Sequence, residues 1–190
     1  MQSIINDEFN AHNKASQETL ISIGKQIEIA AKTCIECLQN GKKILIFGNG
    51  GSAADAQHIA AEIVGRYKVE RKGLPAIALT TDTSILTSIS NDYGFQHLFS
   101  RQVQALANKG DVLIGISTGG TSTNVVNALN LAQNIGCKTI GFSGKGGGDF
   151  NNLCDINLIV ASEDTPRIQE MHIVIGHTIC HLIDQAFNKA

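Results

Sequence analysis

Lys43-Ile-Leu-Ile-Phe47, then Gly48-Asn-Gly-Gly-Ser52, then Ala53-Ala-Asp-Ala-Gln-His58-Ile-Ala-Ala-Glu62 is the stretch on which the fold turns. A short apolar run ends in a glycine-rich turn, and a helical stretch over Ser52–Gly65 opens directly behind it. Strand, loop and helix in that order place backbone N–H groups around one point, beside the positive end of a helix dipole, which is a setting for an anion such as a phosphate. His58 and Glu62 stand four residues apart and so share one helix face. One element thus offers an anion cradle, an imidazole and a carboxylate.

Before this stretch, residues 3–15 and 16–39 read as two helices; Leu20, Ile23, Ile27, Ala31, Cys34 and Leu38 recur at helical spacing in the second, and Asn40-Gly41 stops it. Beyond it, Arg66–Gly73 is polar and reads as a surface loop, Pro75–Thr80 as a second strand, Ser84–Ser90 as a short helix, and Leu98–Asn108 as another. Asp111–Ile116 is uniformly apolar, as a buried parallel strand should be. It runs into Ser117-Thr-Gly-Gly-Thr-Ser122 and a helix that ends at Gly136. Lys138–Phe142 and Ile156–Val160 read as two more strands around the glycine-rich segment Ser143–Asp149, and Asp164–Lys189 as one long helix. On that helix Ile168, Met171, Ile175, Ile179, Leu182 and Ile183 form a wide apolar stripe.

Alternating strands and helices predict a single α/β domain over residues 1–190: a five-stranded parallel sheet flanked by helices over 41–190, with a helical extension over 1–40. Both glycine and hydroxyl loops fall at the carboxyl ends of their strands, where such sheets bind ligands. The second loop carries hydroxyls at Ser117, Thr118, Thr121 and Ser122 and, like Gly48–Ser52, no basic residue; a neutral cradle of this kind suits the phosphate of a small molecule.

The composition narrows the function classes. The chain has 190 residues, 43% hydrophobic, with 15 basic residues against 17 acidic ones and a net charge of -2, so nothing points to a nucleic-acid surface. No apolar run approaches the ~18 residues of a membrane span, and the polar start is no signal peptide. Five cysteines make an odd set with no paired framework, and Cys34-x-x-Cys37 lies within a helical pattern, so inert core thiols in a reducing cytoplasm are expected. Gly48-x-Gly50-x-x-Ala53 lacks an acidic residue at the right place on a second strand for a dinucleotide site, and no Gly-Lys-Ser/Thr ending marks a P-loop. His177 and His181 share a face of the last helix, as do Gln169 and His172; His58, Glu62 and one remote histidine form a plausible zinc set.

Phe47-Gly-Asn-Gly-Gly-Ser52, His58-x-x-x-Glu62, Asn91-Asp92-Tyr-Gly-Phe95, Gly110-Asp-Val-Leu-Ile-Gly-Ile-Ser-Thr118 and Arg167-Ile-Gln-Glu-Met-His172 together resemble the sugar isomerase (SIS) domain family, and within it the bacterial phosphoheptose isomerases. The resemblance covers essentially the whole chain. It implies an isomerase that converts sedoheptulose 7-phosphate to D-glycero-D-manno-heptose 7-phosphate, the first step towards activated heptose for surface polysaccharide. It implies zinc held at His58, Glu62, Gln169 and His177. It implies substrate contacts at Asn49, Gly50, Gly51, Ser52, Glu62, Asn91, Asp92, Ser117, Thr118, Gly119, Ser122 and Gln169, with Glu62 and His177 as catalytic groups. A homotetramer with sites at subunit interfaces is implied as well. Two departures stand out: Gly119 and Thr121 replace the serine and asparagine common in the second loop, and Pro166 stands where some members carry an acid. The competing expectation is a non-catalytic SIS scaffold that binds a protein partner such as a replication initiator; those relatives lack counterparts of Glu62 and His177, which this chain has.

Overall fold

A computed structural model describes residues 1–188. Five strands, β1 (Ile44–Gly48), β2 (Ala76–Ala78), β3 (Val112–Ile116), β4 (Lys138–Ser143) and β5 (Ile156–Ile159), form one sheet in the order β2-β1-β3-β4-β5. Every pairing is parallel, with Ile44 opposite Ala76 on one side and Val112 on the other. The helices are α1 (Gln2–Gln39), α2 (Gly51–Val64), α3 (Thr83–Tyr93), α4 (Leu98–Leu106), α5 (Thr123–Ile135), α6 (Phe150–Leu153) and α7 (Thr165–Phe187).

Alternation along the strands divides the core. Ile44, Ile46, Val112, Ile114, Ile140 and Phe142 face α1, α2 and α7, whereas Leu45, Phe47 and Leu113 face α4 and α5. β1 and β3 are buried throughout, as parallel strands covered on both faces must be. The chain leaves β1 towards β2 and returns to β3 on the other side, so the direction of winding reverses between β1 and β3. The loops that follow these two strands therefore flank the switch point, where an open sheet leaves a crevice.

Several boundaries differ from the expectation. The N-terminal segment is one 38-residue helix, not two. No glycine or proline stands at residues 15–16 to break it, and Gly24 is carried inside. Its inward face begins at Ala15, Thr19 and Ile23, which leaves Leu20 69% exposed and off the expected stripe. The helix of Ser84–Ser90 extends to Tyr93 and takes in Asn91 and Asp92; its start is fixed by Asp82, whose side chain accepts from the Ile85 N–H at 2.9 Å. Phe95–His97 is a 3-10 turn leading into α4, and a second such turn, Lys145–Gly147, lies within the glycine-rich segment. α7 starts with Pro166 in its first turn and ends at Phe187, so the expected extension to Lys189 lies partly outside the described residues.

Arg66–Gly73 is not simply a surface loop. Arg71 and Asp184 of α7 have side chains 1% and 0% exposed and meet at 2.8 Å. Burial alone would push the Asp184 carboxyl up, but the Val69 and Lys68 N–H groups and the Arg71 guanidinium hold it below the usual carboxylate range. The remaining Arg71 N–H groups donate to the carbonyls of Glu62, Ile63, Gly65 and Lys72. A loop that ends a helix is thereby clamped to α7 by a fully satisfied ion pair.

Candidate active site

The site begins at Gly50, which caps α2 with φ +57, a backbone conformation that favours glycine. Ser52 is buried at the start of α2, and Asn49 is held by a reciprocal amide pair, Asn49 Nδ2 to Asn124 Oδ1 at 2.9 Å and Asn124 Nδ2 to Asn49 Oδ1 at 3.0 Å. Asn124 is 3% exposed on the first turn of α5, so this pair ties the loop after β1 to the loop after β3. In the second loop the Ser117 and Ser122 hydroxyls lie 2.9 Å apart, and Thr118 and Gly119 are partly exposed between them. A Cβ on Gly120, at φ +65, would run into the Gly147 carbonyl, so the glycine-rich segment after β4 lies against this loop. A cleft of about 400 Å³ opens among Asn49, Phe95, Gln96, Ser122, Thr123 and Asn124.

Along α2 the next functional face points at α7. His58 Nε2 lies 3.2 Å from Glu62 Oε1 and 3.4 Å from His177 Nε2, and the His58 and His177 rings meet edge-on at 4.9 Å. Among the described residues, His58, Glu62 and His177 form the one group whose donor atoms all lie within 4.8 Å of one another and could hold a metal ion. Two imidazoles and a carboxylate are a donor set that suits zinc and leaves a position open for another ligand. Burial, with the neighbouring His58, pushes His177 down against the opposing pull of Glu62, so its ring is neutral at pH 7 as a ligand must be. The Tyr67 ring stacks on His177 at 5.0 Å.

Gln169 takes a different place. A Cβ on Gly51 would lie 2.6 Å from Gln169 Nε2, so the amide rests on the first loop. Eight residues separate it from His177, about 12 Å of helix rise. In the single chain the structure brings together three of the four expected zinc ligands and puts the fourth beside the loop after β1. Asn91 and Asp92 bond to each other at 2.8 Å, exposed, on the last turn of α3 ahead of the cleft-lining Phe95.

Two features escaped the sequence reading. The Asn49–Asn124 pair carries no pattern that would announce it, since the residues are 75 apart. Tyr67 lay in a stretch read as surface, and only its Gly65-Arg-Tyr67 position just behind α2 hinted that it could reach Glu62's helix. His172 resolves the ambiguity of the α7 histidines: it is wholly buried, with Nε2 3.1 Å from the Ser143 carbonyl, and takes no part in the metal group.

Comparison with known proteins places this geometry. The SIS domain family matches residues 8–144. A phosphoheptose isomerase from Aliarcobacter butzleri is 62% identical over 184 residues, covering 97% of each chain. The structure of a phosphoheptose isomerase from Neisseria gonorrhoeae superposes with a TM-score of 0.92 at 45% identity, covering 97% of this chain and 98% of that one. One from Francisella tularensis gives 0.94 at 40% identity with the same coverage. The family match spans well over half of the chain, and the likeness to these isomerases runs almost end to end: the chain belongs to the SIS domain family, among its phosphoheptose isomerases.

Proposed function

We propose that the chain interconverts sedoheptulose 7-phosphate and D-glycero-D-manno-heptose 7-phosphate by proton transfer through an enediol. The observation that carries this reading is the pairing of a neutral loop at the β1/β3 switch point, fit to cradle a phosphate, with the His58–Glu62–His177 group that α2 and α7 bring together further along α2. Gly51 and His58 are separated by about 10 Å of helix rise, a distance that an extended seven-carbon sugar phosphate spans. The N–H groups of Gly50 and Gly51 and the hydroxyls of Ser52, Ser117, Thr118 and Ser122 hold the phosphate, with Asn49, whose carbonyl accepts from the Ser52 N–H at 3.0 Å, and Gly119 shaping the cradle. Gln169, Asn91 and Asp92 serve the sugar hydroxyls.

Ketose-to-aldose conversion moves a proton from C1 to C2 and another from O1 to O2. Glu62 takes the C1 proton and returns it to C2; its Oε1 faces His58, which leaves Oε2 for the carbon. His177 carries the proton between the oxygens. Zinc bound by His58, Glu62 and His177 would polarise the carbonyl and hydroxyl oxygens and stabilise the charge that develops there. Within one chain Gln169 stands beside Gly51, away from this trio, and serves the sugar instead.

The trio is open to solvent in one subunit, with His58 and Glu62 side chains 49% and 23% exposed, and an enediol is better protected from water. α1 presents Ile4, Ile5, Phe9, Leu20 and Ile21 outward. Both observations support a homotetramer whose sites are covered by neighbouring subunits. Five free cysteines support a reducing cytoplasm, and no helix among the described residues is long and apolar enough to cross a membrane.

The test is an NMR assay with sedoheptulose 7-phosphate in D2O, with zinc and with a chelator. A new aldose signal with deuterium at C2, lost on chelation and restored by zinc, is expected. No aldose under any condition would overturn the assignment.

A further inference from the structure

Between the buried Arg71–Asp184 pair and the metal-ligand group stands a single aromatic ring. Tyr67 immediately precedes Lys68 and Val69, whose backbone N–H groups both donate to Asp184 Oδ2, at 2.7 and 3.0 Å. The backbone on the C-terminal side of Tyr67 is therefore fixed to α7. On its other side, Arg71 Nη1 donates to the Gly65 carbonyl and Nη2 to that of Glu62. The segment has no freedom to slide along α7. Its ring lies over His177 at an interplanar angle of 26°, and touches His181 less closely at 6.1 Å.

Among the described residues no other side chain or carbonyl accepts from the His177 ring; its partner within hydrogen-bond reach is His58 Nε2 itself. Metal-ligating histidines are ordinarily held by a hydrogen bond from the second ring nitrogen, and loss of such a support weakens metal binding or activity about 10–100-fold. We propose that Tyr67 is the positioning residue for His177, supplying by stacking what a second-nitrogen hydrogen bond supplies elsewhere, and that the Arg71–Asp184 pair acts on the site through it.

This inference rests on the isomerase reading for its kinetic arm but not for its binding arm. Tyr67→Ala and Tyr67→Phe are compared with the unaltered protein by competition of the apoprotein with a chromogenic chelator for zinc, by kcat and KM for sedoheptulose 7-phosphate, and by thermal unfolding. Tyr67→Ala is expected to weaken zinc about tenfold or more and lower kcat by a similar factor, with KM within about twofold. Tyr67→Phe, which keeps the ring, restores both. Asp184→Asn should reproduce the zinc loss, and adding it to Tyr67→Ala should give no further loss, because both act through one ring. Wild-type zinc affinity in Tyr67→Ala, or a loss in Tyr67→Phe as large as in Tyr67→Ala, overturns the stacking role. Additive losses overturn the link to Asp184; should Asp184→Asn not fold, the Tyr67 variants still decide. If the unaltered protein leaves the heptulose unchanged while Tyr67→Ala still weakens zinc, the positioning role stands and the substrate assignment falls.

Discussion

Acidifying the protein from pH 7.5 to pH 5.0 is expected to cost it a definite amount of stability through His172. The ring is buried beneath Phe142, its Nδ1 has no partner, and burial pushes its pKa down from 6.5 to about 4 despite the Ser143 carbonyl. The folded value lies below the unfolded one, so the unfolded chain binds the proton first. The contribution is fully present above pH 6.5 and is lost as the pH falls through the window from 6.5 to about 4. At pH 5.0 the unfolded imidazole is almost wholly protonated and the folded one almost wholly neutral, which amounts to about 2 kcal/mol. Urea unfolding at the two pH values, at one fixed subunit concentration, measures the total loss. His177, whose ring burial also pushes below its usual range, adds to the total, so the comparison is with His172→Gln, whose amide can still donate to the Ser143 carbonyl but does not ionise. The variant should lose about 2 kcal/mol less than the unaltered protein over the same interval. Equal losses would refute the burial argument.

Three further outcomes follow from other parts of the molecule. Glu62→Gln should leave the melting temperature nearly unchanged and cut turnover at least about 100-fold; full activity would remove Glu62 as the base. Asp111→Ala strips a carboxylate, 1% exposed, that accepts from Lys43 Nζ at 2.6 Å and from the Lys43 and Asn108 N–H groups, at the sheet edge opposite the site. It should cost about 3 kcal/mol in a denaturant titration while leaving kcat unchanged at a temperature where the variant is folded. Gly120→Ala forces a side chain into left-handed backbone and onto the Gly147 carbonyl. Beyond about 1–2 kcal/mol of strain, it should displace the Ser117–Ser122 loop and raise KM; an unchanged KM would dissociate that loop from substrate binding.

The parallel sheet was legible because its signals are local. Each strand is a short apolar run, and each loop that carries chemistry follows one directly, as Gly48–Ser52 follows β1 and Ser117–Ser122 follows β3. His58 and Glu62 were placed together by helical periodicity alone, and the geometry brings them to 3.2 Å. Adding His177 required knowing that α7 lies along α2, which periodicity does not state; the wide apolar stripe of α7 said only that it was covered. The division of α1 failed for a different reason. Its first half has no core to face, so the change in pattern near Ala15 marks where the helix meets the domain, not where it ends. Arg71 was misplaced because polarity was equated with exposure. A guanidinium that finds one carboxylate and four carbonyls has no need of water, and nothing in the eight residues from Arg66 to Gly73 reveals that arrangement. The histidines of α7 show the same limit: His172 is core and His177 joins the candidate metal group, though they stand five positions apart on one helix.

The two loops that meet at the switch point hold no lysine or arginine. Their attraction for a phosphate comes from backbone N–H groups and helix N-termini, which carry partial charge at every pH. A cradle built this way has no titration of its own. Whatever pH dependence appears in substrate capture then belongs to the ligand, whose second phosphate ionisation falls near about pH 6. Capture should be flat above that value and weaken below it, in step with the substrate's loss of charge and independently of the histidines that serve the sugar end. On the proposed assignment, recognition and chemistry are separated electrostatically as well as spatially: the charge that changes in substrate capture belongs to the substrate, and the loops that meet it carry none that can be lost.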